Sequence, residues 1–137
     1  MIKVWGSLRV VGNSFQPAIA ESMSGVLFSE KKEIGSLGTT GLNKGKPMPY
    51  GSASLVSPNK DLDLIEADAE FFGSLEKLIP ACFDVGAESV VFSICCYFAD
   101  QCNFEFSPQV LASFARLGVT VTMSCYELTE KELLELR

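Results

Sequence analysis

The stretch from Ser89 to Tyr126 constrains the fold of this chain more than any other. Ser89-Val-Val-Phe-Ser-Ile-Cys-Cys-Tyr97 places apolar residues at Val90, Phe92, Ile94 and Cys96. That period of two is the mark of a strand with one buried face. Ser107 and Pro108 supply a helix cap and first turn, and Gly118 supplies a stop, so a helix is predicted over Pro108–Leu117. Val119 to Tyr126 then alternates strictly again, as a second strand.

The remaining segments extend the pattern. Val4–Val11 reads as a strand, with Val4, Leu8 and Val10 beside Gly6 on one face and Lys3, Trp5, Ser7 and Arg9 on the other. Pro17 opens a helix to about Met23, closed by Gly25. Val26–Phe28 is a candidate short strand, and Glu30 to Pro49 is a glycine-rich loop of unusual length. Tyr50–Val56 is a strand. Asp63 and Glu66 match a capping box, opening a helix whose apolar side carries Leu64, Ile65, Phe71, Phe72, Leu75, Leu78 and Ile79. Pro80 is expected to end or kink it. Thr129-Glu-Lys-Glu132 is another capping box, opening a short C-terminal helix. Phe15-Gln-Pro17 to Gly25-Val26 and Phe106-Ser-Pro108 to Gly118-Val119 form a faint internal repeat, each a Pro-opened, Gly-closed helix beside a strand.

Strands that alternate, rather than run continuously apolar, predict an antiparallel or mixed sheet. The expected fold is a two-layer α+β sandwich, four to five strands with helices on one face, in a single domain spanning residues 1–137. At this length about two thirds of the unfolded surface is buried on folding, enough for a core without staples.

Composition narrows the function. Histidine is absent, which removes Ser-His-Asp and Cys-His catalysis and histidine metal ligands. Met1-Ile-Lys-Val-Trp5 runs straight into strand pattern, and no apolar run approaches the ~20 residues that span a bilayer. The expectation is a cytoplasmic protein with no membrane contact. Five cysteines are an odd number and fit neither a disulfide framework nor a zinc spacing. Cys95 and Cys96 point to opposite faces of one strand. Cys95, Cys96, Cys102 and Cys125 are close enough in sequence or sheet to suggest a metal, but without a zinc spacing the expectation is buried, reduced thiols, with no metal and no cofactor.

Net charge is −6, unevenly placed: residues 1–56 sum to +3, residues 57–105 to −8, and residues 106–137 to −1. This balance opposes nucleic-acid binding and permits a basic protein partner, with solubility as the plain alternative. Gly45-Lys46 has the look of a phosphate loop, but Pro47 stands where Ser or Thr must bind magnesium and Thr40 where the leading glycine belongs. The loop is read as a plain connection. Asp61, Asp63, Glu66, Asp68 and Glu70 are read as charges at a helix start, where the macrodipole favours them, or as an acidic patch for a partner.

Strand parity makes one more site. Trp5 and Arg9, then Tyr50, then Tyr97, then Tyr126 all fall on the face turned away from Leu8, Leu55, Phe92 and Val121. The single tryptophan and all three tyrosines thus share one Ser/Thr-rich surface. Such a surface suits partner recognition, because Tyr and Trp give contact area with few rotamers to freeze. The bland alternative is a solvated face with cross-strand aromatic pairs.

Leu75-Glu-Lys-Leu-Ile-Pro80, the strand Val90–Tyr97, the segment Phe106-Ser-Pro-Gln-Val-Leu-Ala-Ser-Phe-Ala-Arg-Leu-Gly118 and the strand ending in Tyr126 resemble the bacterial domain of unknown function 4279 family. The Leu8–Gly25 unit and the Gly45 and Tyr50 region fit it more loosely. The resemblance implies a small cytoplasmic α+β domain without an assigned activity, and it supplies no catalytic residues. By size and charge, such domains are similar to immunity proteins of toxin systems. The function expected is a non-enzymatic binding protein, most specifically an immunity protein that neutralises a basic toxin such as a nuclease. The alternative is a small-molecule-binding or regulatory domain that uses the loop Gly35–Pro49, and an enzyme ranks third.

Overall fold

The computed structural model describes residues 2–58, 69–103 and 105–136. The elements run β1 (Ile2–Gly12), α1 (Pro17–Ser24), β2 (Glu30–Lys32), a 3-10 turn (Gly41–Asn43), β3 (Gly51–Val56), α2 (Ala69–Asp84), β4 (Ser89–Phe98), α3 (Pro108–Leu117), β5 (Thr120–Glu127) and α4 (Glu130–Glu135). They form an α+β sandwich. The five strands make one mixed sheet in the order β2-β3-β1-β4-β5. β1 pairs antiparallel with β3 and β4, β2 pairs antiparallel with β3, and β4 pairs parallel with β5. The parallel step follows from the helix between β4 and β5, because a crossover returns the chain to the same end of the sheet.

The predicted alternation sets the layers. Val4, Leu8 and Val10 of β1 and Val90, Phe92, Ile94 and Cys96 of β4 are buried. Helices α1, α2 and α3 bring Ala20, Leu75, Leu78, Phe72 and Phe114 into the same apolar cluster. Phe92 lies at its centre, with ring centroids 6.3 Å from Phe71 and Phe72 and 5.6 Å from Phe114. Each such pair adds about 0.5–1.5 kcal/mol to the area it buries. Gly6 makes room for this cluster, since a Cβ there would run into the Phe92 ring. Helix ends follow the punctuation. Ser107 accepts from the Val110 N–H at 3.2 Å. Gly118 closes α3 at φ 66°, a conformation open to glycine at little strain.

Three expectations need correction. Val26–Phe28 is not a strand: the short strand is β2, four residues later, because Glu30–Lys32 meets Ser52–Ser54. Pro80 does not end its helix. α2 continues to Asp84, with Leu78, Ile79, Ala81 and Cys82 all buried on its core side, so packing outweighs the hydrogen bond that proline cannot make. The long loop is not a plain connection. Its backbone pairs with itself, Gly35 N–H to Met48 O and Met48 N–H to Ser36 O at 2.9 and 2.7 Å, and Met48 is buried. The capping box at Asp63 and Glu66 and the helical positions Leu64 and Ile65 lie outside the described residues.

The C-terminal box is present. Thr129 and Glu132 cap each other reciprocally, and the hydrogen bond from the Thr129 N–H holds the Glu132 carboxyl below its ordinary value. α4 then folds back on its own domain. Lys3 donates to the Leu136 carbonyl at 3.0 Å, and Leu133 is fully buried although it stands apart from the main cluster. Lys3 belongs to the sheet face opposite the three long helices, so the tail reaches that face at the start of β1. Among the described residues no helix is long and apolar enough to cross a membrane.

Candidate functional site

The face opposite α1, α2 and α3 is built from the odd-numbered residues of β1 and β4 and the even-numbered residues of β3 and β5. Register turns them into cross-strand rows. Lys3, Tyr97 and Tyr126 form one row, Trp5, Cys95 and Ser124 the next, then Ser7, Ser93 and Thr122, then Arg9, Val91 and Thr120. Thr122 donates to Ser93 at 2.9 Å, which fixes the two hydroxyls.

Three of the four predicted aromatics meet here as a continuous stack. Trp5 and Tyr97 lie 4.9 Å apart at 22°, and Tyr97 and Tyr126 lie 5.3 Å apart at 25°. The stack crosses β1, β4 and β5. Trp5 and Tyr97 are half-buried, and Tyr126 is 50% exposed. An interaction with Cys95 and then burial hold the Tyr97 phenol above its ordinary value, so it stays a neutral donor at neutral pH.

Tyr50 is parted from that stack. It lines a groove of about 360 Å³ at the other side of the face, with Arg9, Lys32, Ser52, Ser54 and Asn43. Thr40, Gly41, Leu42 and Met48 of the long loop close the groove. The loop therefore walls the β2–β3 margin of the face and leaves the Trp5–Tyr97–Tyr126 stack outside the groove. Arg9 is exposed, and neither Arg9 nor Lys32 has an ion pair among the described residues. Arg9 thus stands two rows from Trp5 and on the wall of the groove.

The acidic set does not join them. Asp61, Asp63, Glu66 and Asp68 lie outside the described residues. Glu70 is exposed in the first turn of α2, in the helical layer on the far side of the sheet.

Two further groupings lie outside the predicted site. Glu21 of α1 is only 8% exposed and is paired with Lys31 of β2, and it accepts from the Phe28 N–H at 2.8 Å. Burial opposes its ionisation, but the Lys31 contact and the Phe28 N–H outweigh that and hold its carboxyl below the usual value. The second grouping is a thiol cluster. Cys96 and Cys102 have sulfurs 3.5 Å apart, and Cys102 and Cys125 3.8 Å apart. The expectation of buried thiols holds for Cys82 and Cys96 alone, since Cys95 and Cys102 are half-buried and Cys125 is exposed. Parallel register sets Cys125 directly beside Cys96, and the turn after β4 returns Cys102 to them. A pairing signal of this kind lies in sheet order, which spacing along the chain does not carry.

Comparison of the chain with protein-family models, curated proteins and solved structures found no match.

Proposed function

We propose that this chain is a non-enzymatic binding protein acting in the cytoplasm, and that its partner docks on the Trp5–Tyr97–Tyr126 stack. The stack is the observation that carries the reading. Three flat, amphipathic rings are held in contact across three paired strands, so little side-chain freedom is lost when a partner covers them. The Ser124 hydroxyl lies in the Trp5 row, and the bonded Ser93 and Thr122 hydroxyls in the next, so the rings adjoin polar groups on that side. Net charge −6 favours a basic partner through long-range attraction. In its most specific form the proposal is an immunity protein that neutralises a basic toxin, such as a nuclease, and the resemblance to the domain of unknown function 4279 family belongs to this proposal.

The test is capture from the source cells on immobilised chain, followed by expression of the captured protein alone. The expected result is a basic protein, released by high salt, that arrests growth by itself and is harmless beside this chain. A captured set that is unchanged when Trp5 and Tyr97 are both replaced by alanine contradicts the docking face.

One observation favours a second reading, a small-molecule-binding or regulatory domain. The groove under the long loop is lined by Arg9 and Lys32, which have no ion pair among the described residues, and by Glu30, Tyr50, Ser52 and Ser54, a mixed polar lining that suits a small polar ligand. Replacement of Lys32 by alanine separates the two, because it weakens a groove ligand and leaves association through Trp5 intact.

A further inference from the structure

Cys96, Cys102 and Cys125 stand on the sheet face opposite the aromatic stack, at the β4–β5 edge. Their three sulfurs all lie within 4.8 Å of one another. With the two shorter separations at 3.5 and 3.8 Å, a point equidistant from all three lies at most about 2.4 Å from each, close to the ~2.3 Å of a zinc–thiolate bond. Bonds of that length place sulfurs about 3.8 Å apart in a tetrahedron and about 4.0 Å apart in a plane.

The surroundings fit the same chemistry. Cys96 is fully buried and anchored in the central pair of strands, so one ligand is rigid. Cys102 and Cys125 border an open depression of about 630 Å³ that also exposes Glu105 and Met123. An ion can enter from that side, and a carboxylate, a thioether or water can complete its coordination.

We propose that Cys96, Cys102 and Cys125 form a three-thiolate site for a thiophilic d10 cation, zinc or cuprous copper. Each thiol gives its proton to solvent as its sulfur bonds the metal, so three protons leave per ion bound and no electron is transferred. Zinc takes a fourth ligand from the open side, whereas cuprous copper is satisfied by the three sulfurs. Because each ligand must lose its proton to bind, affinity falls as pH falls.

Cadmium is the probe, because its thiolate complexes absorb in the near ultraviolet. The whole chain, purified with reductant and without metal, is titrated with cadmium. The expected result is saturation at one ion per chain, with Cys96, Cys102 and Cys125 protected together from alkylation and Cys95 still reactive. Zinc and cuprous ions are then each tested for displacement, and the stronger competitor identifies the resident metal. Cys102→Ser and Cys125→Ser alter half-buried and exposed positions and should each weaken binding by more than the ~10-fold that loss of an outer-shell partner costs, with the circular dichroism unchanged. Cys95→Ser should bind as the wild type does. Absence of the thiolate absorption, or equal binding by Cys102→Ser and Cys125→Ser, overturns the site.

Discussion

Gly6 and Glu21 show how single residues commit this fold. Gly6 faces the core opposite Ile94, and the space its missing side chain leaves is filled by the Phe92 ring. Phe92 cannot retreat, because Phe71, Phe72 and Phe114 surround it. Gly6→Ala should therefore destabilise by ~1–3 kcal/mol through overpacking, read as a lower denaturant midpoint at unchanged slope. Glu21 ties α1 to β2 through Lys31 and to the Phe28 backbone. Its carboxyl titrates lower when folded than when unfolded. The stability it contributes is complete above the ordinary glutamate value of 4.5 and is lost as pH falls through the lowered one. Glu21→Gln should cost about 1–3 kcal/mol at pH 7, and the gap from the wild type should narrow in acid. A gap that is the same at pH 3 and pH 7 contradicts the ion pair. Neither role can be read from the sequence: Gly6 sits on the apolar parity of β1 without declaring what fills it, and Glu21 lies ten residues from Lys31.

At the scale of elements, local chemistry was legible where it acts alone. Pro17, Gly25, Ser107, Pro108 and Gly118 bound their helices as punctuation predicts, and Thr129 with Glu132 makes the expected box. Legibility failed where tertiary contacts outvote local preference. Pro80 lies inside α2 because Leu78, Ile79, Ala81 and Cys82 are held by the core on either side of it. Pro80 itself is exposed, so replacing it disturbs no packing. Pro80→Ala should raise stability by ~1–3 kcal/mol, since proline is about 3 kcal/mol worse than alanine in a helix interior and rigidity of the unfolded chain returns part of that. A loss of stability would mean that the ring makes a contact the helix needs. The long loop was illegible for a related reason. Its Gly35–Met48 and Gly38–Lys46 hydrogen bonds link residues with no periodic pattern, so only its glycines and prolines were visible.

For the molecule as a whole, strand parity carried the layers and half of the candidate site. Trp5, Tyr97 and Tyr126 fall together because alternation is preserved through β1, β4 and β5, whereas Tyr50 precedes β3 and comes under the loop. Sheet order was not encoded in any single segment, so the closeness of Cys96 and Cys125 was visible only in outline, and their register came from the parallel pairing of β4 with β5. The helical layer carries Glu70 on the side away from the stack, so on the proposed reading its charge would act on a partner through distance rather than contact. Raising the salt from 0.1 M to 1 M, which cuts the Debye length from ~10 Å to ~3 Å, should slow association with a basic partner. Asp61→Asn, Asp68→Asn and Glu70→Gln together should do the same at low salt and leave dissociation nearly unchanged. The most direct test of the docking face is the dissociation constant of the captured partner for Tyr97→Ala, the central ring of the stack, beside the melting curve of the free variant. Loss of a hot spot predicts ~2 kcal/mol, roughly a 30-fold weaker complex, in a chain that still folds cooperatively. Wild-type affinity in a folded Tyr97→Ala chain would contradict the assignment of this face as the binding surface.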